Sequence, residues 1–219
     1  MLKIGHRGAK GYVAENTLAS FQKAIDLQVD GIELDVHVSR DGEIMVIHDE
    51  TIDRTTSGKG FVKNLSSNEL QFYGIPTLRE VLDLINNNLL VNIELKSDHS
   101  VEKVIEIINF YCSEKNWNIN NFIISSFNWE LLLKVKSLNK NIKIGVLTEN
   151  NIESAIDFAA ANQAFSINPY FKLLNSENVE LMHKEKIQIH TWTVNSLEDL
   201  TFVKKLKVDA IISDFPDRI

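Results

Sequence analysis

Two carboxylates, two positions apart, interrupt an apolar run near the start of the chain. In the segment GIELDVHVS, residues 31–39, Glu33 and Asp35 alternate with apolar side chains. Because successive side chains of a strand point to opposite faces, both acids project from one face. Like charges on one face repel, and burying either without a partner is costly. The pattern therefore indicates either a solvated face or a positive group between the two acids.

A second segment, NIELK, repeats this arrangement with Glu94 and ends in Lys96. If the two strands share an inner face, Glu33, Asp35 and Glu94 converge, and a hard divalent cation with oxygen ligands would hold them together. The donor set favours magnesium or calcium, and the histidines nearby leave manganese open. The alternative is a salt-bridge cluster in which Arg7 and Lys96 act as the cations.

Two histidines stand beside charged residues at the ends of predicted strands: His6 next to Arg7, and His48 next to Asp49. Histidine titrates near neutral pH, with an ordinary pKa of ~6.5, so the two imidazoles form a candidate acid–base pair. Arg7 offers a forked donor and Lys96 a point charge for a phosphate or carboxylate. A cation, two basic side chains and two imidazoles favour phosphoryl transfer.

The composition predicts one soluble globular domain over residues 1–219, since 44% of the residues are hydrophobic and 24% are charged. The net charge of -7 argues against partners such as nucleic acid or an anionic membrane surface. With Cys112 as the single cysteine, an internal disulfide and a thiolate zinc cluster are excluded.

Neither a signal-peptide core nor an apolar run approaching the ~18 residues of a membrane span is present. We therefore expect a cytoplasmic location and no stable membrane anchoring. The sequence leaves the oligomeric state open.

Strand-like apolar runs alternate with amphipathic helical runs along the whole chain. Roughly eight principal strands, each but the last followed by a helix, predict an α/β fold, a parallel (β/α)₈ TIM barrel, with a doubly wound open sheet as the alternative. The periodicity fails at about residues 50–75, which we interpret as a short insertion loop after the second strand. The final helix should be missing or reduced to a turn. In such a barrel the acids and histidines fall at the carboxyl ends of the strands, where active sites lie.

The ordered combination of motifs resembles the glycerophosphodiester phosphodiesterase family over nearly the whole chain. The motifs are HRG at residues 6–8, ENTLASF at 15–21, DGIELDV at 30–36, DGEIMVIHD with TIDRTTSGKG up to 60, IELK at 93–96 and TWTVN at 191–195.

This resemblance implies a barrel enzyme that binds a small-molecule glycerophosphodiester and hydrolyses it to glycerol 3-phosphate and an alcohol with a divalent metal. The implied metal ligands are Glu33, Asp35 and Glu94; the implied catalytic pair is His6 and His48; Arg7 and Lys96 would bind the phosphate, and Phe127 and Trp192 would wall the glycerol pocket. Two other interpretations stay open: a lysophospholipase-D-type reaction on a lipid, and a non-catalytic barrel that binds phosphate esters.

Overall fold

The computed structural model describes all of residues 1–219 and contains a closed barrel of eight parallel strands. The strands are β1 (Leu2–His6), β2 (Gly31–Val38), β3 (Ile44–Val46), β4 (Leu90–Leu95), β5 (Phe122–Ser126), β6 (Lys143–Thr148), β7 (Ser166–Pro169), β8 (Gln188–Thr191) and β9 (Ala210–Ser213). Hydrogen bonds run in the order β1-β9-β8-β7-β6-β5-β4-β2, and pairing of β1 with β2 closes the ring. The barrel prediction is confirmed, and the open-sheet alternative is wrong.

Seven helices connect successive barrel strands, and one further helix belongs to the insertion. The helices are α1 (Leu18–Asp26), α2 (Ser67–Phe72), α3 (Leu78–Ile85), α4 (Val101–Glu114), α5 (Trp129–Leu138), α6 (Ile152–Ala161), α7 (Ser176–Lys184) and α8 (Leu197–Lys205). After β9 only a 3₁₀ turn, Pro216–Arg218, follows, as expected for a reduced last helix. None of these helices combines the length and the apolar character needed to cross a membrane.

Local signals set where these helices begin. Thr17 caps α1 by accepting a hydrogen bond from the backbone N–H of Ser20. The predicted capping box of α3 is present with both arms, between Thr77 and Glu80. Such a cap is worth about 1 kcal/mol, so the start of these two helices is encoded within a few residues.

β2 is longer than β1, and the short strand β3 pairs with the part of β2 that β1 does not reach. β1 pairs with the beginning of β2 and stops where His6 faces Glu33. β4 covers the other edge of β2, so β3, pairing antiparallel with Val36–Val38, continues along the edge used by β1. His48 follows β3 by two residues. His6 and His48 therefore reach the mouth of the barrel from the same side of β2.

Apolar side chains form separate clusters in the barrel shell, its interior and the insertion. The main cluster lies between the strands and the surrounding helices, and a small one, Ile4 with Ala210 and Ile212, fills part of the barrel interior. The insertion packs in a separate buried cluster, to which it contributes Ile52, Val62, Leu70 and Ile75, while Met45 and Ile47 come from β3 and the residues just after it. The expectation of an irregular loop over residues 50–75 is thus wrong in part, because this segment contains α2 and a 3₁₀ turn. A capping box at Ser66 and Glu69 is the local signal for α2.

Candidate active site

The three predicted metal ligands lie together at the carboxyl ends of neighbouring strands. Asp35 of β2 and Glu94 of β4 are register partners, and Glu33 lies one pleat earlier on β2. All three side chains are buried, and one oxygen from each lies within 4.8 Å of the others. The alternation of side chains along β2 places both of its acids on the inner face, as the sequence predicts.

Arg7 and Lys96 contact this acidic cluster directly. Arg7 has a backbone φ of +51°, and its N–H donates to Glu33 Oε2 at 3.0 Å while its Nε lies 3.2 Å from Asp35 Oδ2. Lys96 Nζ lies 3.2 Å from Asp35 Oδ1 and also contacts Glu94. The expected cation partners are therefore present, so part of the salt-bridge interpretation holds.

Two cations do not balance the three carboxylates. Burial and the charge of Asp35 raise the pKa of Glu33 well above its usual range, and the same two causes raise the pKa of Glu94 to about 7. Asp35 Oδ1 is buried without a hydrogen-bond donor in suitable geometry. An excess of buried negative charge on hard oxygen donors suits a divalent cation, so these carboxylates could hold a metal ion.

His6, at the end of β1, is held from behind by a carboxylate that follows β9. Its Nδ1 donates to Asp214 Oδ1 at 2.6 Å, and Asn195 Nδ2 donates to the other oxygen of Asp214 at 2.8 Å. The Nε2 atom of His6 lies 3.9 Å from Glu33. Burial lowers the pKa of His6, although the hydrogen bond to Asp214 acts in the opposite direction.

His48 has a similar arrangement with different support. Its Nδ1 donates to Asp49 Oδ1 at 2.7 Å, and Arg54 donates to both oxygens of Asp49 at 2.6 and 3.0 Å. Hydrogen bonding from Arg54 holds the pKa of Asp49 far below its usual range, so Asp49 stays ionised. Burial lowers the pKa of His48, while the charge of Asp35 opposes that change.

Glu15 connects the support of His48 with that of Arg7. It accepts a hydrogen bond from Arg7 at 2.7 Å and two from Arg54 at 2.7 and 3.1 Å, although its side chain is only 8% exposed. Burial raises the pKa of Glu15, but Arg54 and Arg7 outweigh it and lower the pKa to about 2. Neither Glu15 nor Arg54 is among the predicted site residues, although they stand in the motifs ENTLASF and TIDRTTSGKG, respectively.

The side chains surround a pocket of about 460 Å³, its open mouth included. Eight of the nine predicted site residues line it, and Asp35 lies behind Arg7 and Lys96. Phe127 and Trp192 form one wall with their rings edge to face at 5.6 Å, and the Trp192 indole N–H donates to a backbone carbonyl of β7 at 2.7 Å. The pocket thus has a charged side at β1, β2 and β4, and an apolar side after β5 and β8.

A parallel barrel with buried acids, two carboxylate-bound imidazoles and two cations at its mouth defines a class of phosphate-handling enzymes. The sequence profile of the glycerophosphoryl diester phosphodiesterase family matches residues 6–218. A glycerophosphodiester phosphodiesterase from Caldanaerobacter subterraneus subsp. tengcongensis is 40% identical, over 100% of this chain and 96% of that protein.

Solved structures agree with this match. A glycerophosphodiester phosphodiesterase from Thermotoga maritima superposes with a TM-score of 0.85 at 29% identity, covering 99% of this chain and 96% of that one. A phosphodiesterase from Oleispira antarctica, solved with its product sn-glycerol-3-phosphate, gives a TM-score of 0.87 at 26% identity, covering 99% and 94%.

The chain belongs to the glycerophosphoryl diester phosphodiesterase family. It is thereby an enzyme of the phosphoric diester hydrolase class, and the non-catalytic interpretation is set aside.

Proposed function

We propose that this chain hydrolyses water-soluble glycerophosphodiesters, such as glycerophosphocholine or glycerophosphoethanolamine, to glycerol 3-phosphate and the free alcohol. The observation that carries this proposal is one pocket in which two carboxylate-bound imidazoles face three buried acids and two basic side chains. The Oleispira relative that binds sn-glycerol-3-phosphate supports the assignment of the glycerol side of the substrate. A cytoplasmic location stays a prediction from the sequence.

Glu33, Asp35 and Glu94 are the residues that would hold a divalent cation, with magnesium, calcium and manganese as the proposed ions. Their oxygens are hard donors, and their excess negative charge is what such an ion would neutralise. When bound, the ion supplies Lewis-acid polarisation of a phosphate oxygen.

Arg7 and Lys96 orient the phosphate and stabilise the charge that develops on it. Their own acids hold them in place: Arg7 is tied to Glu15 and Asp35, and Lys96 to Asp35 and Glu94. Donors fixed before the reaction need little reorganisation as charge accumulates, which is the main source of electrostatic catalysis.

The two imidazoles move the protons. The carboxylates of Asp214 and Asp49 are ionised and can only accept, so each histidine carries a proton on Nδ1 and leaves Nε2 for the substrate. One imidazole, neutral at Nε2, removes a proton from the attacking oxygen, and the other, protonated on both nitrogens, delivers its Nε2 proton to the leaving alkoxide. Phe127 and Trp192 contact the carbon atoms of the glycerol.

A coupled assay for glycerol 3-phosphate tests this proposal. Protein stripped with EDTA should lack activity on glycerophosphocholine and recover it with magnesium, calcium or manganese. His6→Asn and His48→Asn should each lower kcat by ~10²- to 10⁴-fold. His183→Asn is a matched control, because His183 lies outside the pocket on α7 and pairs with Asp209.

Two outcomes would contradict the proposal. Folded protein that turns over no glycerophosphodiester with any of the three ions would refute the substrate class. Turnover of lysophosphatidylcholine without turnover of glycerophosphocholine would favour the lipid-directed reaction instead.

A further inference from the structure

A second groove adjoins the active-site pocket across Lys96. It measures about 670 Å³ with its open mouth and lies between the insertion and the loop that joins β4 to α4. Lys96 lines both cavities. The two cavities therefore adjoin at the Lys96 side chain.

A phosphodiester carries two organic substituents on its phosphate, and the groove lies where one of them could bind. The apolar wall of the pocket, Phe127 and Trp192, follows β5 and β8, whereas the groove lies beyond the ends of β2 and β4. A phosphate held beside Lys96 would have the apolar wall on one side and the groove on the other. If the glycerol carbons take the apolar wall, the leaving alcohol enters the groove.

The groove carries one free charge of each sign. Lys63 has no acidic partner within 4 Å, and its ammonium lies 5.6 Å from the ring centroid of Phe61, which also lines the groove. Glu50 likewise has no basic partner in that range. The hydroxyl of Ser97, on the opposite wall, is buried and has no hydrogen-bond partner. Exposed His99 stands beside it at the rim.

We infer that this groove binds the leaving alcohol and selects one that carries an ammonium and a carboxylate together, as serine does. Glu50 would pair with the ammonium, and Lys63 with the carboxylate, to which the Ser97 hydroxyl can donate. The inference rests on the proposed function, because it assigns the second arm of the same substrate. Because the chain has a net negative charge, it attracts such a carboxylate only through local cations. Lys63 would be that cation in the groove.

Three diesters test recognition of the ammonium and of the carboxylate separately. Glycerophosphoethanolamine lacks only the carboxylate of glycerophosphoserine, and glycerophosphoglycerol carries neither charged group. The wild type should show a kcat/KM for glycerophosphoserine about two- to fivefold above that for glycerophosphoethanolamine, the effect of one solvent-exposed ion pair. The difference should appear in KM, since the headgroup interaction is made before and during the reaction.

Two substitutions test which residue recognises each charged group of the leaving alcohol. Lys63→Met should abolish the preference for the serine diester and leave hydrolysis of the ethanolamine diester unchanged. Glu50→Gln should lower kcat/KM for both amine-bearing diesters by about two- to fivefold relative to glycerophosphoglycerol. Lys59→Met is the matched control, because Lys59 is an exposed lysine of the same insertion that does not line the groove.

Specific outcomes overturn the inference. Equal kcat/KM for the serine and ethanolamine diesters in the wild type would refute it while leaving the proposed function intact. A Lys63→Met variant that loses activity equally on all three diesters would show an effect on the insertion as a whole, and would also refute it. Absence of turnover with every diester and ion would remove the proposed function and this inference together.

Discussion

At the scale of residues, the two imidazoles of the site are bound in the same way but supported differently. Asp214, which holds His6, is fixed by Asn195 at the barrel mouth. Asp49, which holds His48, is fixed by Arg54 from the insertion. A histidine bound through Nδ1 presents Nε2 in one tautomer and one orientation, so under the proposed function we expect loss of a supporting group to impair proton transfer.

Replacing Asp49 tests that support. Asp49→Asn removes the ionised acceptor of His48, and we expect kcat to fall by ~10²- to 10⁴-fold, by analogy with loss of the carboxylate in other oriented histidine pairs. Arg54→Lys keeps the charge but not the forked geometry, so kcat should fall about tenfold, the value of one charge-assisted hydrogen bond. The measurement is steady-state kcat and KM with saturating metal ion.

A double variant tests whether Arg54 positions His48 through Asp49. Because Arg54 acts on His48 through Asp49 and on Arg7 through Glu15, Arg54→Ala should lower kcat much less in the Asp49→Asn background than in the wild type, and the remaining loss should come from the contact with Glu15. A full additional loss of kcat would contradict the assignment. Arg40→Ala, which removes an exposed arginine paired only at the surface with Glu69, should leave kcat unchanged.

At the scale of elements, the insertion is a small unit with its own core. Its four buried apolar residues pack with Met45 and Ile47 in a cluster separate from the main one. It carries Arg54 of the His48 support, and Glu50 and Lys63 of the proposed alcohol groove. Packing within this cluster therefore positions side chains of two sites at once.

Ile52→Ala tests the dependence of the site on this local core. Ile52 is fully buried there, so the truncation should cost about 2–5 kcal/mol, expressed as local opening of the insertion. Hydrogen exchange should accelerate over residues 50–75, and kcat should fall with it.

Ile124→Ala is the matched control, since Ile124 is equally buried in the main cluster. It should lower the urea midpoint of the whole barrel without selective exchange in the insertion. If Ile52→Ala instead unfolded the barrel uniformly, the insertion would not be an independently opening unit.

At the scale of the whole molecule, closure of the barrel buries groups that no single element would bury. His190 of β8 is fully buried near the amino-terminal end of the barrel and outside the active-site pocket. Its Nε2 bonds to Gln188 at 2.9 Å, while its Nδ1 has no partner. Burial lowers the pKa of His190 to about 4.

This buried histidine predicts a stability change with pH. Between the unfolded pKa of 6.5 and the folded pKa of about 4, the unfolded chain binds a proton that the folded chain excludes. The free energy of unfolding should therefore fall as the pH falls through this range, by up to about 1.4 kcal/mol per pH unit from this group. His190→Gln should flatten that slope in urea titrations at about pH 7, 5.5 and 4.5. Parallel curves for the two proteins would refute the assignment.

The sequence by itself determined those features that depend on short separations along the chain. Side-chain alternation places Glu33 and Asp35 on one face, and the capping box of α3 lies within four residues. The repeated strand–helix pattern predicts the barrel, and the barrel predicts that strand ends carry the site. The sequence pattern did not predict the six-residue helix α2, because so short an element shows little periodicity. Its capping box is nevertheless present in the sequence.

Only the tertiary structure decided which distant groups meet. Asp214 contacts His6 across 208 positions because β9 and β1 are neighbours in the closed barrel. Arg54 reaches Glu15 across 39 positions because the insertion packs over the barrel mouth. The raised pKa values of Glu33 and Glu94 likewise depend on burial and on charges from other strands. Local propensities specify elements, whereas contacts and desolvation depend on how the elements pack, which no short stretch of sequence encodes.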